Sequence, residues 1–411
     1  MISIRGNGDR KREDVRFLPF LLMLCTGISI SSIDMYLPAL PELAAFFKTT
    51  DNVLRISIMI SPLISAFAGL FYGSMSDKYG RRPIILLCLF IFSIGSLWCA
   101  FSDTATEFLI ARSVQAMGST GMGLQTVTVI SDKFKGITLA RYLSIYSVLY
   151  PTTYAVAPNI GAFLMLYMSW RGIFYFLTLM GVSLMTFLYV ILPETLNIKT
   201  TTPQAGISFF RWFSDVWKML STKPIFRNMA ITNALATIMN HIFITNSPFI
   251  YEQHFGLTKT QFANVSLIPH SFNIVGCLVY SFLLKSCSPK FCLNLGRIVA
   301  MLFMAAASIS LIIPNALQMG MVVILYCVCS FGMSFLTMTS VGFAVSDMQT
   351  NKGLGNGVVQ FIRNISSSSA VMLFGYFCAG GVPQVFFAMS ICALAMVVTI
   401  SACYKDLPEM A

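Results

Sequence analysis

Apolar runs of roughly 20 residues recur along this chain and alternate with shorter polar segments. We count twelve runs, which begin near Phe17, Leu54, Pro83, Phe108, Arg141, Gly172, Asn228, Phe262, Phe291, Met319, Gly355 and Val382. A helix of this length crosses the roughly 30 Å hydrocarbon core of a bilayer. Because β-barrel strands alternate in polarity, continuous runs favour helices. The pattern predicts an all-α polytopic membrane protein with twelve transmembrane helices, here called spans 1 to 12.

One longer polar segment after span 6 divides the spans into two groups of six. The predicted units are a cytoplasmic N-terminal segment (1–16), a six-helix half (17–192), a cytoplasmic linker (193–226), a second six-helix half (227–404) and a cytoplasmic tail (405–411). Two halves joined by a linker suit a transporter whose central site opens to either side in turn.

Charge is sparse and unevenly placed. Only 10% of the 411 residues are charged, against about 25% in soluble domains. Most Lys and Arg residues lie between spans on one side, whereas the other side holds Lys48, Arg55, Arg171 and Lys259. The positive-inside rule therefore predicts that both termini are cytoplasmic. This bias, together with anionic lipid at the inner face, accounts for the net charge of +11, so no nucleic-acid partner is expected.

Motifs for enzymatic chemistry are missing from the sequence. We find no serine elbow, no paired carboxylates and no His/Cys spacing of a metal site, so we expect neither an enzyme nor a bound metal. The phosphate-binding pattern GxxxxGK[ST] is also missing. The expected energy source is an ion gradient, with no cofactor.

The segment "GSMSDKYGRRP" connects spans 2 and 3 on the predicted inner side. Its glycines allow close helix approach and a tight turn, its aspartate can cap a facing helix, and its arginines anchor the inner face. An ordinary positively charged loop is the alternative. The segment resembles the loop motif of the Major Facilitator Superfamily, which implies a conformational switch made of Gly73, Asp77, Gly80, Arg81 and Arg82. In that superfamily the aspartate latches onto the start of span 11 in the outward-facing state.

Two further stretches are similar to superfamily motifs. In span 4, Arg112 and Gln115 match Arg-x-x-Gln-Gly, and a charge at that depth is costly enough to indicate function. In span 5, "AVAPNIGA" resembles the antiporter motif through Pro158 and Gly161. A proline-kinked helix with small packing residues remains the structural alternative.

The stretch "IDMYLPALP" in span 1 resembles Bcr/CflA-type drug:proton antiporters. The resemblance implies a monomer in a bacterial inner membrane that exports small amphipathic compounds in exchange for protons. Asp34 in span 1 and Arg112 in span 4 both fall in the outer half, where they can meet. We expect Asp34 to carry the proton and Arg112 to tune it. A fixed ion pair or a helix-end acid is the alternative.

Candidate substrate contacts are Tyr36, Gln115, Tyr154, His241 and Arg363. A guanidinium inside span 11 favours anionic oxygen ligands, so Arg363 indicates a second function. That alternative is transport of an anionic metabolite or siderophore, in either direction. Arg363 can instead snorkel to the interface or pair with Asp347.

Overall fold

The structure is a computed structural model that describes residues 7–134, 136–194, 209–310, 315–346, 352–377 and 382–407. All regular elements in these ranges are helical. The helices are α1 (Asn7–Asp34), α2 (Leu40–Phe46), α3 (Asp51–Tyr79), α4 (Arg81–Phe101), α5 (Ala105–Lys133), α6 (Gly136–Leu164), α7 (Arg171–Ile191), α8 (Phe209–Thr222), α9 (Pro224–Pro248), α10 (Lys259–Leu283), α11 (Pro289–Ser310), α12 (Asn315–Ser346), α13 (Lys352–Phe377) and α14 (Val382–Cys403).

The twelve long helices follow the order of the twelve predicted spans, so the predicted fold class is confirmed. Spans 1 to 6 are α1 and α3 to α7, and spans 7 to 12 are α9 to α14. Two shorter helices were not predicted as spans: α2 follows span 1, and α8 lies in the predicted linker. The first helix begins at Asn7, within the segment predicted to precede span 1, because a helix can continue beyond the hydrocarbon core into water.

Eight of the described helices contain a stretch long and apolar enough to cross a membrane: α1, α3, α4, α7, α10, α11, α12 and α14. Within the described ranges, the long helices α5, α6, α9 and α13 fall short of that composition. These four carry Arg112, Asn159, His241 and Arg363, respectively. Their polarity fits helices that face the interior of the bundle, where polar side chains find partners rather than lipid.

Packing within each half differs from packing between the halves. In the first half, α4 packs on α5 and α7, and α3 packs on α5; in the second, α10 and α11 pack on α12, and α14 packs on α9. The halves meet mainly where α3 contacts α13 and α6 contacts α10. We define the outer face as the side where α1 ends and α3 begins, and the inner face as the opposite side.

Glycines allow a close contact between α4 and α5. A Cβ added to Gly118 of α5 would clash with the backbone of Phe92 in α4, and one added to Gly95 would clash with the backbone of Gln115. These are backbone-to-backbone contacts, which cannot move aside as a flexible side chain can. The two helices therefore approach more closely than larger residues permit.

We predict that Gly118→Ala destabilises the protein, because the added methyl group forces α4 and α5 apart. Overpacking of this kind costs about 1–3 kcal/mol. Gly342→Ala in α12 is the matched control, since a Cβ there meets no described atom within 4 Å, and alanine favours a helix. Thermal unfolding in detergent should show a lower midpoint for Gly118→Ala only. Equal midpoints for the two variants would contradict the packing.

Candidate functional site

Asp34 is the last residue of α1 and is buried between helices of the first half. Its side chain is only 2% exposed. The helix ends here because the next residues form a 3-10 turn, Leu37–Ala39, with a proline near its start. The carboxylate oxygen Oδ2 is buried and has no hydrogen-bond partner among the described residues. Asp34 therefore presents an unsatisfied acidic oxygen inside the bundle.

Arg112 of α5 is fully buried and joins three helices through its guanidinium. Nη1 donates to the Ser32 carbonyl oxygen at 2.9 Å and to Oε1 of Gln115. Nη2 donates to the Ser61 hydroxyl at 3.3 Å. The guanidinium carbon lies 4.5 Å from the centre of the Tyr36 ring. Arg112 thus ties the end of α1 to α3 and α5.

A second layer of hydrogen bonds holds the partners of Arg112 in place. The Gln115 amide donates to the Ser96 hydroxyl of α4 at 2.8 Å. The hydroxyls of Tyr36 and Ser57 are 2.9 Å apart, which connects the segment after α1 to α3. Two predicted substrate contacts, Tyr36 and Gln115, therefore have structural partners in this conformation and belong to the Arg112 network.

Asp34 and Arg112 interact electrostatically without forming an ion pair. The guanidinium is near enough to influence the carboxylate. However, the ion pairs found within 4.0 Å in the described part of the chain join other residues. The guanidinium donates hydrogen bonds to the Ser32 carbonyl, Gln115 and Ser61 instead. The fixed-pair alternative for these two residues is not seen in this structure.

Gly161 of α6 packs directly against the end of α1. A Cβ on Gly161 would clash with the carbonyl oxygen of Met35, the residue after Asp34. Three residues earlier, Pro158 lines a small cavity of about 20 Å³ between the halves, together with Leu37. A cavity of this size holds about one water molecule. Both residues predicted from the span 5 motif therefore lie beside the segment that carries Asp34.

The second half brings a tyrosine towards Asp34. Tyr326 of α12 interacts electrostatically with Asp34 and lines the same small cavity. Its hydroxyl donates to Asn240 Oδ1 at 2.5 Å, and its ring stacks on Phe243 with centroids 3.5 Å apart. Sequence reasoning missed Tyr326 and Asn240, although Asn240 immediately precedes His241 on the same span.

The two predicted substrate contacts of the second half lie near each other. His241 of α9 and Arg363 of α13 interact electrostatically, and His241 Nδ1 is buried with no hydrogen-bond partner in the ranges that the structure describes. The Arg363 Nε atom donates to Asn364 Oδ1 at 3.2 Å. Asp347, the alternative partner considered for Arg363, lies outside the described residues. Tyr154 is half-buried on α6, and its predicted contact with substrate stays a prediction.

A charged cluster forms at the inner face around Arg81. Its guanidinium binds Asp77 at 2.5 Å and Asp132 at the end of α5 at 3.0 Å. It also donates to the Ser76 hydroxyl at 2.6 Å. In this conformation Asp77 therefore pairs within its own half. The predicted contact of Asp77 with the start of span 11 in the outward-facing state stays a prediction.

The turn between α3 and α4 is closed by an acid that sequence reasoning did not assign. The Glu194 carboxylate accepts hydrogen bonds from the backbone nitrogens of Arg81 at 2.9 Å and Arg82 at 3.2 Å. Gly80 has φ +102°, and a Cβ there would clash with Glu194. Glycine is therefore required for both the backbone conformation and the close approach. The signal was present in the sequence, since Glu194 follows span 6 directly.

The prediction that Gly73 allows a close helix contact is wrong for the conformation seen here. Gly73 was predicted to let span 2 approach a neighbour closely, but a Cβ on Gly73 meets no described atom within 4 Å. Gly69, one helical turn earlier, is paired with Gly73 in this prediction, and its added Cβ lies 3.5 Å from Leu124, which is an ordinary van der Waals contact. Among the described residues, no close helix contact forms at Gly73.

Comparison with known proteins agrees with this geometry. Residues 22–371 match the description of the Major Facilitator Superfamily. The chain belongs to this superfamily. Its members are transporters of small molecules, so the predictions of a multi-pass membrane transporter and of a protein that is not an enzyme are confirmed.

The following relatives share only a low sequence identity with this chain. The uncharacterized MFS-type transporter YdgK of Bacillus subtilis is 27% identical over 248 residues, which cover 60% of this chain and 61% of YdgK. Multidrug resistance protein MdtL of a Shewanella species is 25% identical over 335 residues, or 80% of each chain. A D-xylose–proton symporter structure superimposes with a TM-score of 0.73 at 14% identity, over 96% of this chain and 98% of the symporter. That likeness concerns the fold alone.

We predict that Gly161→Ala disturbs the site, because the methyl group displaces the Met35 carbonyl and with it Asp34. Transport should fall by up to about a hundredfold, the loss that a displacement of about 1 Å can cause at a reacting group. Gly123→Ala on α5 is the control, since a Cβ added there would lie 3.9 Å from Ser29 Oγ, its nearest described neighbour. Uptake into proteoliposomes, normalised to folded protein, measures both variants. Equal transport by the two would show that α1 and α6 tolerate separation.

Proposed function

We propose that this protein is a proton-coupled antiporter of the Bcr/CflA type that exports small amphipathic compounds by alternating access. In this proposal it works as a monomer in a bacterial inner membrane, with both termini in the cytoplasm and the proton gradient as its energy source. The observation that carries the proposal is Asp34, a buried acid with an unsatisfied oxygen beside a buried arginine. The similarity to multidrug resistance protein MdtL supports the substrate class.

The surroundings of Asp34 suit reversible proton binding. An ionised carboxylate is costly in an apolar interior unless hydrogen bonds compensate it, and Oδ2 lacks such a bond in the described structure. The Arg112 guanidinium offsets part of this cost by attraction. The two effects oppose each other, so a change in hydration or a bound cationic group can shift the balance. A substrate that binds next to Asp34 thereby displaces its proton.

Contacts between the outer ends of the two halves support alternating access as the mechanism. At the outer face, Asn159 of α6 donates to the Ala263 carbonyl of α10 at 3.1 Å. The guanidinium of Arg55 in α3 lies 4.8 Å from the ring of Phe249 in the second half. These contacts join the outer ends of the two halves. In this proposal, such outer contacts belong to the state that exchanges protons and substrate with the inner side.

We predict that Asp34→Asn abolishes proton exchange while the protein remains folded. The amide has nearly the same shape but cannot release a proton. In sealed proteoliposomes, substrate-induced proton release by Asp34→Asn should be at least about tenfold lower than that by wild type, and tenfold corresponds to about 1.4 kcal/mol. Asp103→Asn, which removes an exposed acid paired with Arg171 at 2.8 Å, is the control and should retain release.

Binding of the substrate to Asp34→Asn is measured alongside proton release. Asp34→Asn protein that still binds lipophilic cations but releases no proton supports the assignment of Asp34. Proton release at the wild-type rate by Asp34→Asn would remove Asp34 as the carrier. The compounds tested as substrates are lipophilic cations and polycarboxylates. The same vesicles therefore also report which charge the transported substrate carries.

A second candidate function is transport of an anionic metabolite or siderophore. The observation that favours it is the adjacent pair His241 and Arg363 in the second half. A guanidinium at this place binds carboxylate or phosphate oxygens in bidentate fashion, which an ammonium group does not reproduce.

We predict that, under this second function, Arg363→Ala loses transport of polycarboxylates and keeps transport of lipophilic cations. Arg363→Lys should recover only part of the loss, because lysine keeps the charge without the planar fork. Flux of both substrate classes in the same vesicles is the measurement. Unchanged polycarboxylate flux in Arg363→Ala would eliminate the anionic function.

A further inference from the structure

An acid that the proposed cycle does not use lies at the outer face. Glu252 belongs to a π-helical turn, Phe249–His254, between α9 and α10. Its carboxylate oxygen Oε1 is buried and has no hydrogen-bond partner in the described part of the chain. Turns of this geometry are frequent at functional sites. A buried acidic oxygen without a partner is rare enough in native proteins to require an explanation.

Next to Glu252, an ion pair joins the two halves. Lys259, the first residue of α10, binds the carboxylate of Glu42 on α2. Lys259 belongs to the second half and Glu42 to the first. Their side chains are 36% and 37% exposed, so water screens the pair only in part. Because the pair crosses from one half to the other, it must break before the outer ends separate.

Glu252 competes with Glu42 for this lysine. The turn that carries Glu252 contacts both α2, which holds Glu42, and α10, which begins at Lys259, so Lys259 attracts its carboxylate and Glu42 repels it. Since Glu252 and Lys259 belong to the same half, a contact between them does not link the halves. An ionised Glu252 therefore draws Lys259 away from Glu42, whereas a neutral Glu252 leaves Lys259 to Glu42.

The protonation of Glu252 responds to pH in a useful range. Burial raises the pKa of Glu252 to about 8, against the attraction of Lys259 and with the repulsion of Glu42. In a separated, hydrated outer mouth, a glutamate side chain returns towards its ordinary value of about 4.3. A proton therefore binds more tightly to the closed state, and by linkage a lower pH favours closure.

Other charged and titratable groups also face this turn. Asp51 and Arg55 of α3 line a cavity of about 230 Å³ beside the turn, together with His254 of the turn itself. From α9 the nearest titratable residue in sequence is His241, about three helical turns earlier. Gln253 and His254 are exposed, so water at the outer face reaches the turn.

We propose that Glu252 is a proton-binding site that controls the outer gate of this transporter. With a proton on Glu252, Lys259 pairs with Glu42 and holds the outer ends together. Without the proton, Glu252 attracts Lys259 within its own half, and the link between the halves weakens. The ligand is a proton from the outer solution, and the site is separate from Asp34. The proposal rests on alternating access, and it does not require that Asp34 couples transport to protons.

The test measures the width of the outer mouth as a function of pH. Spin-label side chains are placed at Thr50 and Thr260, which are exposed at the outer ends of the two halves. Noncanonical amino acids carry the labels, because the chain has 11 cysteines. Pulsed electron resonance on the full chain in lipid nanodiscs reports the distances. Between pH 8.5 and 6.5, the closed-to-open ratio should rise about tenfold, a value discounted for partial exposure.

Two variants should lose this pH response in opposite directions. Glu252→Gln mimics the protonated acid and should keep the short distance at every pH. Glu42→Gln removes the partner in the first half and should keep the long distance at every pH. Asp103→Asn removes an outer ion pair confined to one half, and His254→Gln removes a nearby histidine. Both of these controls should respond as wild type does.

Asp34→Asn separates this proposal from the proposed function. A retained pH response of the outer mouth in Asp34→Asn supports the gate, whether or not that variant exchanges protons. A wild-type pH response in Glu252→Gln overturns the gate proposal, as does a response that disappears in Asp34→Asn but not in Glu252→Gln. An outer mouth that stays closed in Glu42→Gln also overturns it.

Discussion

The organisation of the first half depends on one buried guanidinium. A positive charge in the interior is strongly unfavourable unless hydrogen bonds and opposite charge compensate it. Arg112 obtains this compensation from the Ser32 carbonyl, the Gln115 amide, the Ser61 hydroxyl and the Tyr36 ring. These partners come from different parts of the chain, so satisfying Arg112 fixes how α1, α3 and α5 meet. The position of Asp34 is a consequence of that arrangement.

The same arrangement makes Asp34 chemically available. Because Arg112 directs its hydrogen bonds to neutral partners, it acts on Asp34 at a distance and does not neutralise it in an ion pair. Gly161 completes the enclosure from α6, since only a residue without a side chain fits against the Met35 carbonyl. From the other half, Tyr326 approaches the same acid. A change in how the halves meet therefore changes the surroundings of Asp34 directly.

The ion pairs described at the inner face lie within one half, whereas one at the outer face joins the two halves. At the inner face, Arg81 binds Asp77 and Asp132 within the first half, and Glu194 closes the turn before α4. At the outer face, Glu42 and Lys259 join the two halves. Ion pairs within one half keep their geometry when the halves move as rigid bodies, whereas pairs between halves must break. Among the described residues, the pair of Glu42 and Lys259 at the outer face is therefore one that movement of the halves has to break.

The sequence alone determined the fold class and the elements that carry the site. Twelve long helices were predictable because bilayer thickness sets the length of an apolar run, and Asp34, Arg112, Gly161 and Arg363 stood out as polar or small residues within such runs. Gly80 was predictable from the turn that it has to make, and its φ of +102° agrees. Local rules suffice for features of this kind, since they concern neighbours along the chain.

Only the tertiary structure decided which side chains meet. Asp132 and Glu194 at the inner face, and Tyr326 and Lys259 in the second half, have partners far away in sequence, which no periodicity or spacing reveals. Whether Arg112 binds Asp34 or neutral groups was also undecided, because competition among several acceptors depends on distances of a few ångströms. Helix packing sets those distances, and packing is a property of the whole bundle.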